Sequence, residues 1–208
     1  MHKAEADWIV SKLSTIDPAQ LSPMLNIGSS TLEFRTKTQP WIDSALIKPL
    51  EARGIRIIHV DLKSAPGVDI VADLTTDEGF DALAKLGARS IMVCNVLEHV
   101  LDPRSFANRC ANLVGPKGYV VVTVPHSYPH HRDPIDTMIV RRQTRRRSCS
   151  TTRACLPARS SKRDPIAITF ELARGFSRVT SFARHFRSWG GRNGSGRWES
   201  FIGWFIRA

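Results

Sequence analysis

The hydrophobic positions of this chain change period repeatedly between residues 1 and 127. Met24–Ile27, Ile55–Val60, Val68–Ala72, Ser90–Val96 and Tyr119–Val124 are short, nearly continuous apolar runs, as expected of strands covered on both faces. Around them the apolar positions recur at helical spacing. Ala4–Leu13 carries Trp8, Ile9 and Leu13 on one side. Pro40–Arg53 carries Trp41, Ile42, Ala45, Leu46, Pro49 and Leu50, and Gly54 stops it. Thr76–Leu86 is stopped by Gly87, and Asp102 caps a helix that begins at Pro103 and runs to Leu113. Gly115–Gly118 is a turn into the most apolar strand. Five strands mostly separated by helices predict an α/β fold, a Rossmann-like, doubly wound and mainly parallel sheet.

Such sheets bind ligands beyond the carboxyl ends of their strands. Polar residues stand there: Gly28-Ser29-Ser30, Asp61, Asp73, Asn95, Glu98-His99 and His126. The first turn, MLNIGSS, has one glycine where a ligand-cradling loop usually has two or three, so it reads either as a glycine-poor cofactor loop or as an ordinary strand end. Asp61 can accept two ribose hydroxyls or cap the next turn. Asp73 can accept from an amino group such as adenine's or lead into the following helix. Asn95 and Glu98-His99 face a ligand or satisfy local backbone. VPHSYPHHRDPIDTM (124–138) sets His126, His130, His131, Asp133 and Asp136 among prolines, which suits a substrate-facing loop, an acid and base pair, or plain structure. No His-x-x-x-His pair falls on a helix, and no metal site is expected.

Charge divides the chain. Of its 208 residues, 1–138 hold 14 Lys and Arg against 16 Asp and Glu, a net −2, whereas 139–208 hold 16 against 3, a net +13. The second part has 15 Arg and 1 Lys. No run approaches the roughly 18 apolar residues of a membrane span, and the amino terminus lacks a basic-then-apolar signal pattern. Cys94 and Cys110 read as reduced core thiols. Together these favour a cytoplasmic setting.

The order MLNIGSS, HVDL, DIVADL, NVLEHV, GPKGYVVVTVP resembles that of a class I S-adenosylmethionine-dependent methyltransferase, over residues 20–138. YPHHRDPIDTM resembles a stretch found in a subgroup of small bacterial methyltransferase-domain proteins. The resemblance implies S-adenosylmethionine as cofactor. It implies that Asn26, Gly28, Ser29 and Ser30 run along the methionine part, and that Asp61 holds the ribose. Asp73 and Leu74 would flank the adenine, and Asn95 and Leu97 would lie near the sulfonium. His131 or Asp133 would be the base for a weakly acidic hydroxyl. Three departures imply weaker cofactor binding: Asn26 stands where the family has an acid, and Ser30 and Leu32 where it has glycines.

The family closes its sheet with an antiparallel strand pair, and no convincing pair follows residue 138, so the sheet is expected to lack it. The expected organisation is a methyltransferase-like domain over 1–138, a disordered Arg/Ser/Thr-rich segment over 139–165, and over 166–208 an amphipathic helix (Ile166–Phe186) with an aromatic-rich end. The basic tail has three readings: contact with nucleic acid, peripheral contact with an anionic membrane surface, or translation of part of the segment in another reading frame. The function expected is methyl transfer to a small-molecule or glycan acceptor. The alternatives are a degenerate, non-catalytic domain and a basic nucleic-acid-binding protein or RNA methyltransferase.

Overall fold

The computed structural model describes residues 1–115 and 117–127, and beyond them the backbone of 181–183, 191–192 and 198–207. Helices α1 (Lys3–Leu13) and α2 (Pro18–Leu21) precede β1 (Met24–Ile27). A π-helical turn (Phe34–Thr38) and a second one (Asp43–Ile47), continuous with α3 (Lys48–Glu51), lead to β2 (Ile57–Asp61). Then come β3 (Ile70–Val71), α4 (Asp77–Ala84), β4 (Ser90–Cys94), a 3-10 turn (Leu97–His99), α5 (Pro103–Val114) and β5 (Tyr119–Ser127). Three more strands follow, β6 (Ser181–Ala183), β7 (Gly191–Arg192) and β8 (Trp198–Arg207).

The sheet runs β3-β2-β1-β4-β5-β8-β6, with β7 on the side against β8. The first five strands pair in parallel. Chain order reverses between β1 and β4, which places a switch point and its crevice at their carboxyl ends.

Period-2 alternation sorts the strands between two cores. Ile58, Leu25, Ile91 and Val120 stand in register across the sheet and pack with Leu83 of α4 and with Phe106, Cys110 and Leu113 of α5. Ile57, Met24, Met92 and Val121 face the other way, onto Ile9 and Leu13 of α1 and Leu46 and Leu50 of the α3 region. Each such side chain contributes about 1.5–3 kcal/mol by leaving water. Both faces are therefore apolar, which is why the strands read as unbroken hydrophobic runs.

The helix expected over Pro40–Arg53 is present, with one wide turn. Pro49 has no N–H to give the Ala45 carbonyl, and the π-helical turn that contains Ala45 absorbs the mismatch. Asp102 caps α5 as expected, accepting from the N–H groups of Arg104 and Ser105 at 3.1 and 3.0 Å. The helix expected over 76–86 is capped by Thr76, whose Oγ1 accepts from Gly79 N.

The expected lack of a closing antiparallel pair is corrected. Strand β8 lies antiparallel along β5, pairing Tyr119 with Arg207 and Val122 with Trp204, and β6 lies antiparallel along β8. The helix expected over Ile166–Phe186 is corrected at its end, where Ser181–Ala183 is strand. Pattern along the chain does not show the pair, because the closing strands are not consecutive with β5: β8 begins at Trp198, far beyond the Ser127 end of its partner. The Arg-rich run 141–163 lies outside the described residues.

Candidate functional site

The loop after β1 turns on two residues with positive φ, Gly28 at 71° and Ser30 at 56°. Gly28 is required twice over: the left-handed backbone disfavours a side chain, and a Cβ there would collide with Val96 Cγ2 from the loop after β4. Ser30 holds its strained conformation because the loop is tied on both sides. Its N–H donates to Asp61 Oδ2 at 2.8 Å, and its carbonyl accepts from Arg35 Nη1 at 2.6 Å. Arg35 also donates to the carbonyls of Ser29 (3.0 Å) and Gly67 (2.7 Å). Arg35 as a whole is only 3% exposed. Burial lowers its pKa from the ordinary arginine value, and the charges of Asp69, Asp43 and Asp61 oppose that shift. A buried arginine thus shapes a loop that holds a single glycine.

Asn26, inside β1, is 6% exposed and pairs through Nδ2 with His59 Nδ1 at 3.1 Å. Burial and the Arg35 charge push the His59 pKa down to about 4, so the ring is neutral at pH 7. A neutral ring with an unprotonated Nδ1 accepts from the amide, leaving Asn26 its oxygen and its second N–H to offer a ligand.

Across the switch point, Asn95 follows β4 with φ 54°. Its N–H donates to the Thr123 carbonyl at 2.9 Å, and its Nδ2 donates to Glu5 Oε1 at 3.0 Å. Glu5, from the first turn of α1, is fully buried. The same oxygen accepts from Thr123 Oγ1 at 2.5 Å, and Oε2 accepts from the His2 backbone N–H at 3.0 Å. Three donors converge on one carboxylate. Next to Asn95, the Cys94 thiol is held well above its ordinary pKa, first by burial and then by the Glu5 charge, so it remains a thiol.

The carboxylates at the ends of β2 and β3 have local work. Asp61 also accepts from Lys63 N through Oδ1 at 3.1 Å, so each of its oxygens has one backbone donor and can take one more. Asp73 Oδ1 accepts from Thr75 N (2.8 Å) and Thr75 Oγ1 (2.6 Å), a turn that sets up the Thr76 cap of α4.

These strand ends surround one cavity of about 960 Å³. Its wall includes Asn26, Gly28, Ser29, Ser30, Asp61, Asp73, Leu74 and Asn95, eight of the nine expected cofactor positions. Leu97 departs from expectation: it is 4% exposed in the core shared with Val93 and Phe106, and Val96, Glu98 and His99 form the wall there. His131 and Asp133 lie outside the described residues. Sequence reasoning missed Arg35, Glu5 and His59. Glu5 falls within the expected helix Ala4–Leu13 and Arg35 within no expected element, and the apolar pattern marks neither.

The space and its donor set suit an adenosyl sulfonium cofactor. The loop backbone at Gly28 comes too close to Val96 for any side chain, acceptors stand at the ends of β2 and β3, and the volume falls within the roughly 300–1,000 Å³ of ligand sites. No protein-family model matches the sequence, and no curated protein matches it. Solved structures match by fold. A SAM-dependent methyltransferase from Archaeoglobus fulgidus superposes with a TM-score of 0.51 at 12% identity, over 98% of this chain and 94% of that one. The CurJ carbon methyltransferase gives 0.54 at 11% identity, over 99% of this chain and 54% of that one. EvdMO1 gives 0.51 at 11%, over 98% and 41%. The chain thus spans about half the length of these last two. Strand order, switch-point cavity and structural likeness agree: this chain has the fold of the class I S-adenosylmethionine-dependent methyltransferases.

Proposed function

We propose that the cavity binds S-adenosylmethionine and that the protein transfers its methyl group to a small-molecule or glycan hydroxyl. The observation that carries this reading is convergence. Residues from the ends of four strands, Gly28–Ser30, Asp61, Asp73 and Asn95, were expected from their order in the sequence and line one cavity at the switch point. Asp61 would take the ribose hydroxyls on its remaining lone pairs, Asp73 and Leu74 would flank the adenine, and Asn95 would stand beside the sulfur. When bound, the cofactor supplies an already activated methyl group. The residues named here hold and orient it, and the buried floor of Met92 and Leu46 keeps water out. His131 and Asp133 are the proposed bases toward the acceptor.

A degenerate, non-catalytic domain is the second reading. It is favoured by the neutral Asn26–His59 pair where the family has an acid, and by the β1 loop, whose N–H groups are engaged: Gly28 and Ser29 with the Val60 carbonyl at 2.9 and 3.0 Å, Ser30 with Asp61. Screening tritiated S-adenosylmethionine against panels of sugars and small hydroxy compounds separates the two. Methyl transfer to any acceptor that drops at least about ten-fold in His131→Ala or Asp133→Ala supports catalysis through these residues. Cofactor binding without transfer across the panels supports the degenerate reading.

A further inference from the structure

Two buried ionic side chains flank the cavity without lining it, Arg35 and Glu5. Arg35 is accounted for by the three carbonyls it holds. Glu5 is not accounted for by packing. It is an ionisable group at zero exposure on a helix face otherwise made of Ala6, Ile9 and Leu13, and a leucine there would complete that face. A buried carboxylate is costly unless its partners are all donors, and here they are: the His2 N–H, Asn95 Nδ2 and Thr123 Oγ1.

The chemistry of those partners fixes the state of the site. Each carboxyl oxygen already accepts an N–H, from His2 and from Asn95, and the Thr123 hydroxyl adds a third contact, an arrangement that suits a carboxylate. A carboxylate partner also fixes the Asn95 amide, whose nitrogen must face Glu5. With its nitrogen held on Glu5, Asn95 is left with its oxygen to turn toward the cavity it lines, beside one remaining N–H. On the β1 side of the same cavity, Asn26 and neutral His59 bring no charge.

We infer that Glu5 is a positioning residue of the cofactor site: acting through Asn95, it supplies the negative potential that Asn26 does not, and biases the cavity toward a sulfonium over a neutral thioether. This rests on the reading of the cavity as an S-adenosylmethionine site. The ligand's methionine ammonium is common to S-adenosylmethionine and S-adenosylhomocysteine, so the ratio of their affinities isolates the charge on sulfur.

The test is calorimetric titration of both ligands into the full chain as wild type, Glu5→Gln, Asn95→Gly, the double variant and Ile9→Val. Glu5→Gln and Asn95→Gly are each expected to move the affinity ratio about ten-fold toward S-adenosylhomocysteine, and the double variant to move it no further. Ile9→Val, a core lesion on the same helix, lowers Tm and leaves the ratio in place. An unchanged ratio in Glu5→Gln overturns the inference. Asn95→Gly keeps the test decisive if Glu5→Gln does not fold, because glycine suits the positive φ, and an unchanged ratio there overturns the inference equally. Wild-type protein that binds neither ligand defeats the functional reading and this inference with it. Binding of both with an unmoved ratio in the variants defeats the positioning role alone.

Discussion

The two sides of the switch point solve one problem with opposite charges. After β1, Ser30 sits at φ 56° and is held by a buried cation that draws in its carbonyl. After β4, Asn95 sits at φ 54° and is held by a buried anion that fixes its amide. Each residue is a non-glycine in left-handed backbone, a conformation that costs about 1–2 kcal/mol. The comparison teaches that glycine content is a poor gauge of whether such a loop is formed. A tie to a buried ion, near in the chain or far, can impose the same backbone.

The comparison breaks most visibly if either ion is removed. Arg35→Met leaves the Ser29, Ser30 and Gly67 carbonyls without their donor and should cost about 3 kcal/mol in urea denaturation, with loss of cofactor binding. If stability and binding are both unchanged, the loop does not depend on the clamp. Gly28→Ala should cost about 2 kcal/mol through strain at φ 71° and contact with Val96, and should separate the two loops where they meet. A thermal melt within a degree of wild type would contradict that.

Acid provides a third test. The folded-state His59 pKa, about 4, lies below the ordinary value of 6.5, so the unfolded chain binds the proton more readily. The stabilising contribution of neutral His59 is complete above pH 6.5 and is lost as pH falls toward 4, and it amounts to about 1–2 kcal/mol because the ring is partly exposed. His59→Asn should flatten stability against pH over that window, and an unaltered slope would place the titration elsewhere. The smallest effect is expected at Ser30→Gly, which relieves the left-handed serine and should stabilise the protein by about 0.5–1 kcal/mol. Destabilisation by that change would mean that the Ser30 side chain itself carries the loop.

The parallel half of the sheet was legible because both of its faces are buried, so each strand announces itself as an apolar run between helical repeats. Eight of the nine expected cofactor positions reached the cavity wall for a related reason: strand ends in a doubly wound sheet point to one place. Leu97 was misplaced because one step along a 3-10 turn exchanges wall for core, and no periodicity distinguishes Leu97 from Val96. Glu5 was invisible because two of its partners lie across the fold, 90 residues away in the case of Asn95, and Arg35 because it clasps backbone carbonyls, which side-chain pattern does not mark. The antiparallel edge was hidden in the same way, with β8 meeting β5 across a long stretch of chain. Short-range pattern reports which face a residue occupies. It does not report which distant group a buried charge will meet.

The central claim is that the switch-point cavity is an S-adenosylmethionine site assembled by these two loops. A crystal structure of the full chain grown with S-adenosylhomocysteine tests it most directly. The account predicts the ribose hydroxyls on Asp61, the adenine between Asp73 and the loop after β4, and the sulfur beside Asn95. An adenosyl ligand bound elsewhere, or a cavity left without ligand at millimolar concentration, would contradict it.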